Sequence, residues 1–171
     1  LRDFFVLKEI NTLKIFISNS SLKKEQDIRF DNFSVICLIP KEYSVINNDS
    51  ILFWANYNPA NSDEIKNIFT FSFAPKSINL QAEVLHRVDS VFFKYLKGEK
   101  EGTYVKIETE YPPFFFNNTY RGLWRLQNGF MGGSFLIKTY YLKNKIVVNV
   151  GIVFAPQDLK RKYIKEFEAI L

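Results

Sequence analysis

The chain is 171 residues long, carries a net charge of +5, and is 47% hydrophobic and 24% charged. These values are typical of one globular domain with a substantial core. No apolar run in the sequence is long enough to span a bilayer. A single cysteine, Cys37, excludes an internal disulfide, and with one histidine in the chain we predict no metal site and no cofactor.

The positive charge is spread along the chain and does not form one basic stretch. Its densest cluster, KRK at residues 160–162, falls on one turn of a predicted helix. A solvated helix face explains such a cluster, with a phosphate-binding patch as the alternative. We therefore predict that the protein has no nucleic-acid partner.

The predicted elements begin with a helix over residues 1–25, although residues 13–17 also fit a strand. Because the sequence begins at Leu1 and not at a methionine, we expect this helix to be the end of a longer upstream region. A strand rich in Phe, Ile and Val is expected over residues 28–39. Pro40 ends it, because proline cannot donate to the ladder.

Two more strands, over residues 50–57 and 65–74, are predicted before a long helix that reaches about Leu96. Ser77 or Asn79 can cap this helix, because their side-chain oxygens accept hydrogen bonds from free backbone amides. Gly98 is expected to end it. The residues predicted to form its core face are Leu80, Val84, Val88, Phe92 and Tyr95.

The last third of the chain predicts a series of antiparallel strands followed by a helix. The strands are expected over residues 102–111, 119–127, 134–142 and 146–155. Lys143 and Asn144 form a tight turn between the last two. The final helix begins at Asp158 and is expected to dock on the sheet. Its predicted core-facing residues are Leu159, Tyr163, Phe167 and Ile170.

Strands grouped between helices, with no linker dividing the chain, predict a single α+β domain over residues 1–171. We expect a largely antiparallel sheet with two or three helices packed on it.

Seven short blocks of sequence occur in order between residues 28 and 171. They are IPKEY (39–43), FW (53–54), RVDS (87–90), GTY (102–104), RGLW (121–124), FMGG (130–133) and FAP (154–156). In content, order and spacing they resemble an uncharacterised lipoprotein family of the Bacteroidetes, a domain of unknown function with the signature RGLW…FMGG(P/S)F. Two positions depart from the family pattern: Ser134 replaces a proline, and Val88 separates Arg87 from Asp89.

This resemblance implies a protein of the cell envelope, located in the periplasm or associated with the outer membrane. It also implies that the protein is attached to the membrane by a lipid anchor on a cysteine outside this sequence. The strand order also resembles the Mog1/PsbP-like fold, a two- or three-layer sandwich, which by itself does not fix a function.

The strand that carries RGLW is the first candidate for a binding site. Arg121 and Arg125 alternate with Trp124, so both arginines are expected to face away from it. Together they could clamp a carboxylate or a phosphate. Ion pairs on an exposed sheet face are the alternative. Trp124 is expected to anchor the core more than to touch a ligand.

The FMGG block is the second candidate. Met131, Gly132 and Gly133 are predicted to form a turn in which glycine adopts a positive φ, where two backbone amides could bind a small anion. A structural hairpin or bulge is the alternative, and Asn128 is expected to cap the turn. No Gly-Lys-Ser/Thr sequence follows, which excludes a P-loop.

The aromatic run Phe114, Phe115 and Phe116 follows two prolines and precedes two asparagines. It is therefore expected in a loop or at a strand end. Three consecutive aromatic side chains cannot all point into one core, so at least one is expected to contact a partner, a ligand or a second apolar layer.

No catalytic constellation is recognisable, and we assign no catalytic residue. The leading hypothesis is a non-catalytic envelope module that binds a partner protein or a small ligand. A hydrolase-type enzyme is the alternative, and it depends on Asp89 orienting the sole histidine, His86. A structural subunit of an envelope assembly is the third hypothesis.

Overall fold

The computed structural model describes residues 2–171, with side chains from Phe4 onward, as four helices and eight strands. The helices are α1 (Arg2–Asn19), α2 (Lys23–Phe33), α3 (Leu80–Tyr95) and α4 (Arg161–Ile170). The strands are β1 (Ser44–Asn48), β2 (Leu52–Tyr57), β3 (Ile65–Phe73), β4 (Tyr104–Ile107), β5 (Phe114–Phe116), β6 (Thr119–Gln127), β7 (Gly132–Tyr141) and β8 (Ile146–Phe154). Among the described residues, no helix is both long and apolar enough to cross a bilayer.

The strands form one antiparallel sheet in the order β1-β2-β3-β8-β7-β6-β4, and β5 pairs with β6 as well. Helix α3 packs against one face, while α2 and α4 pack against the other, with α1 lying on α4. Because both faces are covered, the central strands β3, β7 and β8 are buried along most of their length. The predicted α+β fold is confirmed, with three layers and with four helices where two or three were expected.

Helix α3 follows its predicted pattern closely. The side chain of Asn79 accepts a hydrogen bond from the backbone N–H of Ala82 at 3.1 Å, which caps the first turn. Val84, Val88 and Phe92 are fully buried against the sheet. The helix ends at Tyr95, one residue before the predicted end near Leu96. Leu96 is already extended, so the prediction that Gly98 ends the helix is wrong.

The predicted structure of the first 40 residues is wrong in two places. Helix α1 ends at Asn19, and the charged residues 23–25 begin a separate helix, α2. The strand expected over residues 28–39 is therefore helical up to Phe33. Ser34, at φ 63°, ends this helix, and the apolar residues that follow it do not form a strand, although all of them except Ile36 are buried. Cys37 is buried among them, as expected, and its burial raises the pKa of the thiol.

The later elements differ from the predictions mainly at their ends. The strand expected over residues 102–111 shrinks to β4, and Leu159, which lies before α4, is 85% exposed and does not face the core. The edge strand β1 was not predicted, because its sequence is polar. Residues 114–116 form a short strand, β5, which is joined to β6 by Asn117 and Asn118 at φ 48° and 56°. Two positive φ values in a two-residue loop identify a type I′ hairpin.

Arg29 attaches α2 to the sheet from a fully buried position. Its Nε and Nη2 donate to Thr70 Oγ1 at 3.0 and 2.9 Å, Nη2 also donates to Asn149 Oδ1 at 2.6 Å, and Nη1 donates to the Val35 carbonyl at 2.8 Å. No carboxylate pairs with this guanidinium among the described residues. Neutral acceptors, together with the Phe53 ring whose centroid lies 5.8 Å from the guanidinium carbon, therefore compensate the desolvation of its charge.

Candidate functional site

The RGLW and FMGG blocks lie on the neighbouring strands β6 and β7, where their residues pack against each other. Trp124 on β6 lies opposite Gly133 on β7. Its indole passes over that glycine and donates a hydrogen bond to the Val153 carbonyl on β8, at 2.9 Å. A β-carbon at position 133 would overlap both the Val153 oxygen and the indole nitrogen, so this crossing requires a glycine.

A second aromatic ring packs over a glycine one step along the same pair of strands. Gly122 lies opposite Phe135, and the Phe135 ring occupies the space that a side chain at position 122 would need. The two glycines and two rings interlock across β6 and β7 on the α3 face of the sheet. The spacing of the signature is thus accounted for by packing.

The predicted positive-φ turn at residues 131–133 is wrong. Gly132 and Gly133 belong to strand β7, and the residue with a positive φ is Asn128, at 58°. Asn128 also donates to the Gly102 carbonyl at 3.3 Å, so it shapes the turn as expected. Both glycines pair with β6 in the sheet and do not form a positive-φ turn, so the basis for an anion site there is lost.

Arg121 and Arg125 point away from Trp124, as predicted, and each has a carboxylate partner. Arg121 binds Glu168 of α4, with Nε 3.0 Å from the carboxylate oxygen. Arg125 lies 3.2 Å from Glu108, which follows β4. The two arginines therefore hold neighbouring elements in place, and the clamp for an external anion is not formed.

The three phenylalanines of β5 divide between the two faces of the sheet. Phe115 packs on Tyr120, with ring centroids 4.5 Å apart. Phe114 and Phe116 are 64% and 59% exposed on the opposite face, which α4 leaves open at this edge. With half-exposed Leu123 of β6, they form an apolar surface that we call the β5 patch.

The pair proposed for hydrolase chemistry does not form. His86 lies on the exposed face of α3. The Asp89 carboxylate accepts the backbone N–H of Ile107 at 2.7 Å and so joins α3 to β4. Among the described residues, no cluster of three or more His, Cys, Asp or Glu side chains is placed to hold a metal ion.

A cleft of about 180 Å³ opens on the α3 face, at the edge where β2, β3 and β8 approach the end of α3. We call it the aromatic cleft. Both tryptophans of the chain line it, Trp54 from β2 and Trp124 from β6. The other aromatic and thioether side chains in its lining are Tyr95, Phe154 and Met131. Trp54 contacts Tyr95, and Trp124 contacts Phe154, at centroid distances of 5.7 and 6.3 Å.

One polar group lies within the apolar lining of the aromatic cleft. Asn67 is buried, and its Oδ1 accepts hydrogen bonds from Trp54 Nε1 at 2.9 Å and from Asn56 Nδ2 at 3.0 Å. These bonds fix the orientation of the Trp54 indole. Among the side chains that the structure describes, Lys97 at the rim is the one charged residue in the lining, and none of the described carboxylates faces the cleft.

This lining favours binding over chemistry. Within the part of the chain that the structure describes, the lining contains no serine, cysteine, histidine or carboxylate that could act as a nucleophile or a general base. Aromatic and thioether surfaces bind apolar groups through contact area, and the Asn67 and Asn56 amides can orient a polar neighbour of that group.

The sequence pointed to only part of this site. Trp124 and Met131 were candidates because they lie in the signature blocks, and both line the cleft. Trp54, Tyr95, Asn67 and Phe154 were missed as site residues, since they come from four separate elements with no shared motif. The block FW at residues 53–54 was the available signal for Trp54.

Comparison with known proteins shows a match to one family. The family is described as Domain of unknown function (DUF4837), and its model matches residues 21–171. The match covers α2 to α4 and leaves out most of α1. No curated protein and no solved structure matches the chain.

Proposed function

The chain belongs to the family described as a domain of unknown function, DUF4837, and we propose that it is a non-catalytic binding module whose binding site is the aromatic cleft. The observation that carries this proposal is the composition of the cleft. Five aromatic or thioether side chains from separate elements converge there, and among the described residues no serine, cysteine, histidine or carboxylate lines the cleft beside them.

The size of the aromatic cleft limits what it can hold. Its volume of about 180 Å³ is below the roughly 300–1,000 Å³ of typical small-molecule sites. It is close to the roughly 150 Å³ of a cavity that accepts a single benzene ring. The ligand is therefore one aromatic or branched aliphatic group, which fits a side chain presented by a partner protein better than a whole cofactor.

The charge of the lining selects against cationic ligands. Aromatic cages that bind ammonium groups rely on cation–π attraction, and here the one charged lining residue among those described is the cation Lys97. A neutral apolar group, or one that carries a nearby carboxylate, suits this environment.

The cellular setting of the module is proposed on the family resemblance described above. We place it in the cell envelope, in the periplasm or at the outer membrane, tied to the membrane by a lipid anchor outside residues 1–171. Fractionation of cells that carry the full-length protein, combined with metabolic labelling by a fatty acid, tests this placement. Unlabelled protein in the cytosolic fraction contradicts it. The likeness to Mog1/PsbP-like domains stays a prediction.

A structural subunit of an envelope assembly is the second candidate function. The β5 patch favours it, because exposed aromatic side chains on an uncovered sheet face are typical of contact surfaces. Replacing Phe114 and Phe116 by serine should release the protein from such an assembly without affecting ligand binding in the aromatic cleft.

The binding proposal predicts selective affinity for an apolar side-chain mimic. We expect N-acetyl-phenylalaninamide to bind with a Kd on the order of 1 mM, the range available to a ligand of this size. N-acetyl-glutaminamide, of similar length but polar, should not bind measurably. Replacing Met131 by alanine removes part of the apolar wall and should weaken binding about fivefold. Isothermal titration calorimetry measures all three.

The adjacent residue supplies the matched control. Phe130 is fully exposed and lies outside the cleft lining, so Phe130→Ala removes a larger apolar side chain from the same segment and should leave the affinity unchanged. Equal affinity for the two mimics, or equal loss in the two variants, overturns the proposal.

A further inference from the structure

A second and larger concavity lies on the opposite side of the sheet, between α1 and the segment that leads into α4. Its volume is about 1,010 Å³, several times that of the aromatic cleft. We call it the α1–α4 groove. Its apolar walls come from Phe5, Leu13, Phe16 and Ile17 of α1 and from Leu159 before α4. Phe16 and Leu159 are 73% and 85% exposed, so apolar surface is available inside it.

The floor of the groove is an ion cluster in which one lysine pairs with two carboxylates, so the cluster carries one excess negative charge. Lys66 Nζ lies 2.8 Å from Glu166 and 3.1 Å from Glu64, and 4.5 Å above the ring of Tyr57. Burial disfavours the charged amine, but the two carboxylates outweigh it and raise the pKa of Lys66 above its ordinary value. Lys66 stays charged and paired, so a ligand has no need to neutralise it.

The remaining charges of the groove are predominantly positive. Lys165 is paired with Glu9, and Lys162 with Asp158. Lys8 and Arg161 line the groove and form no salt bridge among the described residues, whereas Glu42 is the single lining carboxylate in that position. With the floor cluster included, the described lining holds five cations and four carboxylates. The one excess positive charge, together with the exposed Lys8 and Arg161, which are unpaired among the described residues, favours an anionic group at the mouth.

From these features we infer that the α1–α4 groove binds a long-chain carboxylate, a free fatty acid held as a single molecule. The apolar walls accept the acyl chain, and Lys8 and Arg161 bind the carboxylate. The groove is lined from both α1 and α4, so it contacts one acyl chain from two sides, whereas a bilayer surface would meet only the outer side of α1. This site lies on the other face of the sheet from the aromatic cleft and is independent of the proposed function.

The test is calorimetric titration of the full chain with alkyl carboxylates below their micelle-forming concentrations. Dodecanoate should bind roughly tenfold more tightly than decanoate, because two further methylenes are buried. Dodecyltrimethylammonium has a chain of the same length and a cationic head group, so it should bind at least tenfold more weakly than dodecanoate. Anionic phospholipid vesicles should not retain the protein on sedimentation.

Variants locate the site. Phe16→Ser removes an exposed wall residue and should weaken dodecanoate binding about tenfold, and the double change Lys8→Gln, Arg161→Gln should have a similar effect. Lys143→Gln, a comparable change on an exposed turn away from the groove, should have none. All four side chains are exposed, so the variants are expected to fold. Three outcomes would overturn the inference. The affinity could be independent of head-group charge or chain length, it could be equally unaffected by Phe16→Ser and Lys143→Gln, or the protein could bind to the vesicles instead.

Discussion

Replacing Gly133 by alanine is expected to lower the free energy of unfolding by about 3 kcal/mol, although it adds a single methyl group. That methyl would overlap the Val153 carbonyl oxygen and the Trp124 indole nitrogen. The strands must separate or the indole must leave, and overpacking of a core typically costs about 1–3 kcal/mol. Losing the Trp124 hydrogen bond would leave a buried donor without a partner, at a cost of about 1–3 kcal/mol more if the site does not relax. Urea unfolding measures the change.

The neighbouring glycine provides the control for this prediction. A β-carbon on Gly132 would meet only the Trp124 carbonyl oxygen, at 3.1 Å. Gly132→Ala should therefore change the stability by less than about 1 kcal/mol, with the lower backbone entropy of the unfolded alanine chain offsetting the close contact. Equal losses of stability at the two positions would show that the passage of the Trp124 indole over position 133 is not the reason that glycine is required there.

Replacing Arg29 by alanine is expected to cost about 3 kcal/mol. The change empties the space of a fully buried long side chain and leaves the Val35 carbonyl without its donor. The loss of a desolvated charge offsets part of this cost. Because Phe33 is the only other buried residue of α2, the helix should detach before the sheet unfolds. Urea unfolding and amide hydrogen exchange of α2 measure both effects.

Two further variants separate the contributions of Arg29. Arg29→Met restores most of the packing without the hydrogen bonds, and its stability should fall between those of Arg29→Ala and the parent chain. Lys24→Ala, an exposed change on the same helix, should cost less than about 0.5 kcal/mol. A methionine variant more stable than the parent would contradict this prediction. It would show that the Arg29 hydrogen bonds stabilise the fold by less than the burial of the charge destabilises it.

The parts of the fold that were predicted correctly are those in which one local pattern decides the structure. Strands β6, β7 and β8 alternate or run apolar between clear turns, and α3 has a capping asparagine and an apolar face at helical spacing. Each of these patterns is contained in a stretch of about ten to twenty consecutive residues. They were sufficient to predict the antiparallel series and the helix that covers it.

Helix α2 was missed because its buried face is not apolar. Only Arg29 and Phe33 of this helix are buried, and an arginine counts as a surface residue in any hydrophobic pattern. Its acceptors Thr70 and Asn149 lie 41 and 120 residues further along the chain. The apolar residues 35–39 then suggested a strand where the chain is irregular.

The candidate site also depends on contacts between residues that are far apart in the sequence, which local patterns do not reveal. The signature drew attention to Gly133 and Trp124, but only the paired register of β6 with β7 shows that one makes room for the other. Arg121 and Arg125 resembled an anion clamp because their partners, Glu168 and Glu108, lie on other elements. The aromatic cleft arises where six elements meet, and no spacing in the sequence predicts that arrangement.

The most direct test of the binding function is nuclear magnetic resonance of the two tryptophan indole N–H groups during titration with N-acetyl-phenylalaninamide. Trp54 and Trp124 are the only tryptophans, and both line the aromatic cleft. The account predicts that both signals shift together and saturate with one Kd, equal to the calorimetric value, and that neither moves with N-acetyl-glutaminamide. Indole signals that stay unchanged while heat of binding is measured would contradict it, because the ligand would then bind outside the cleft.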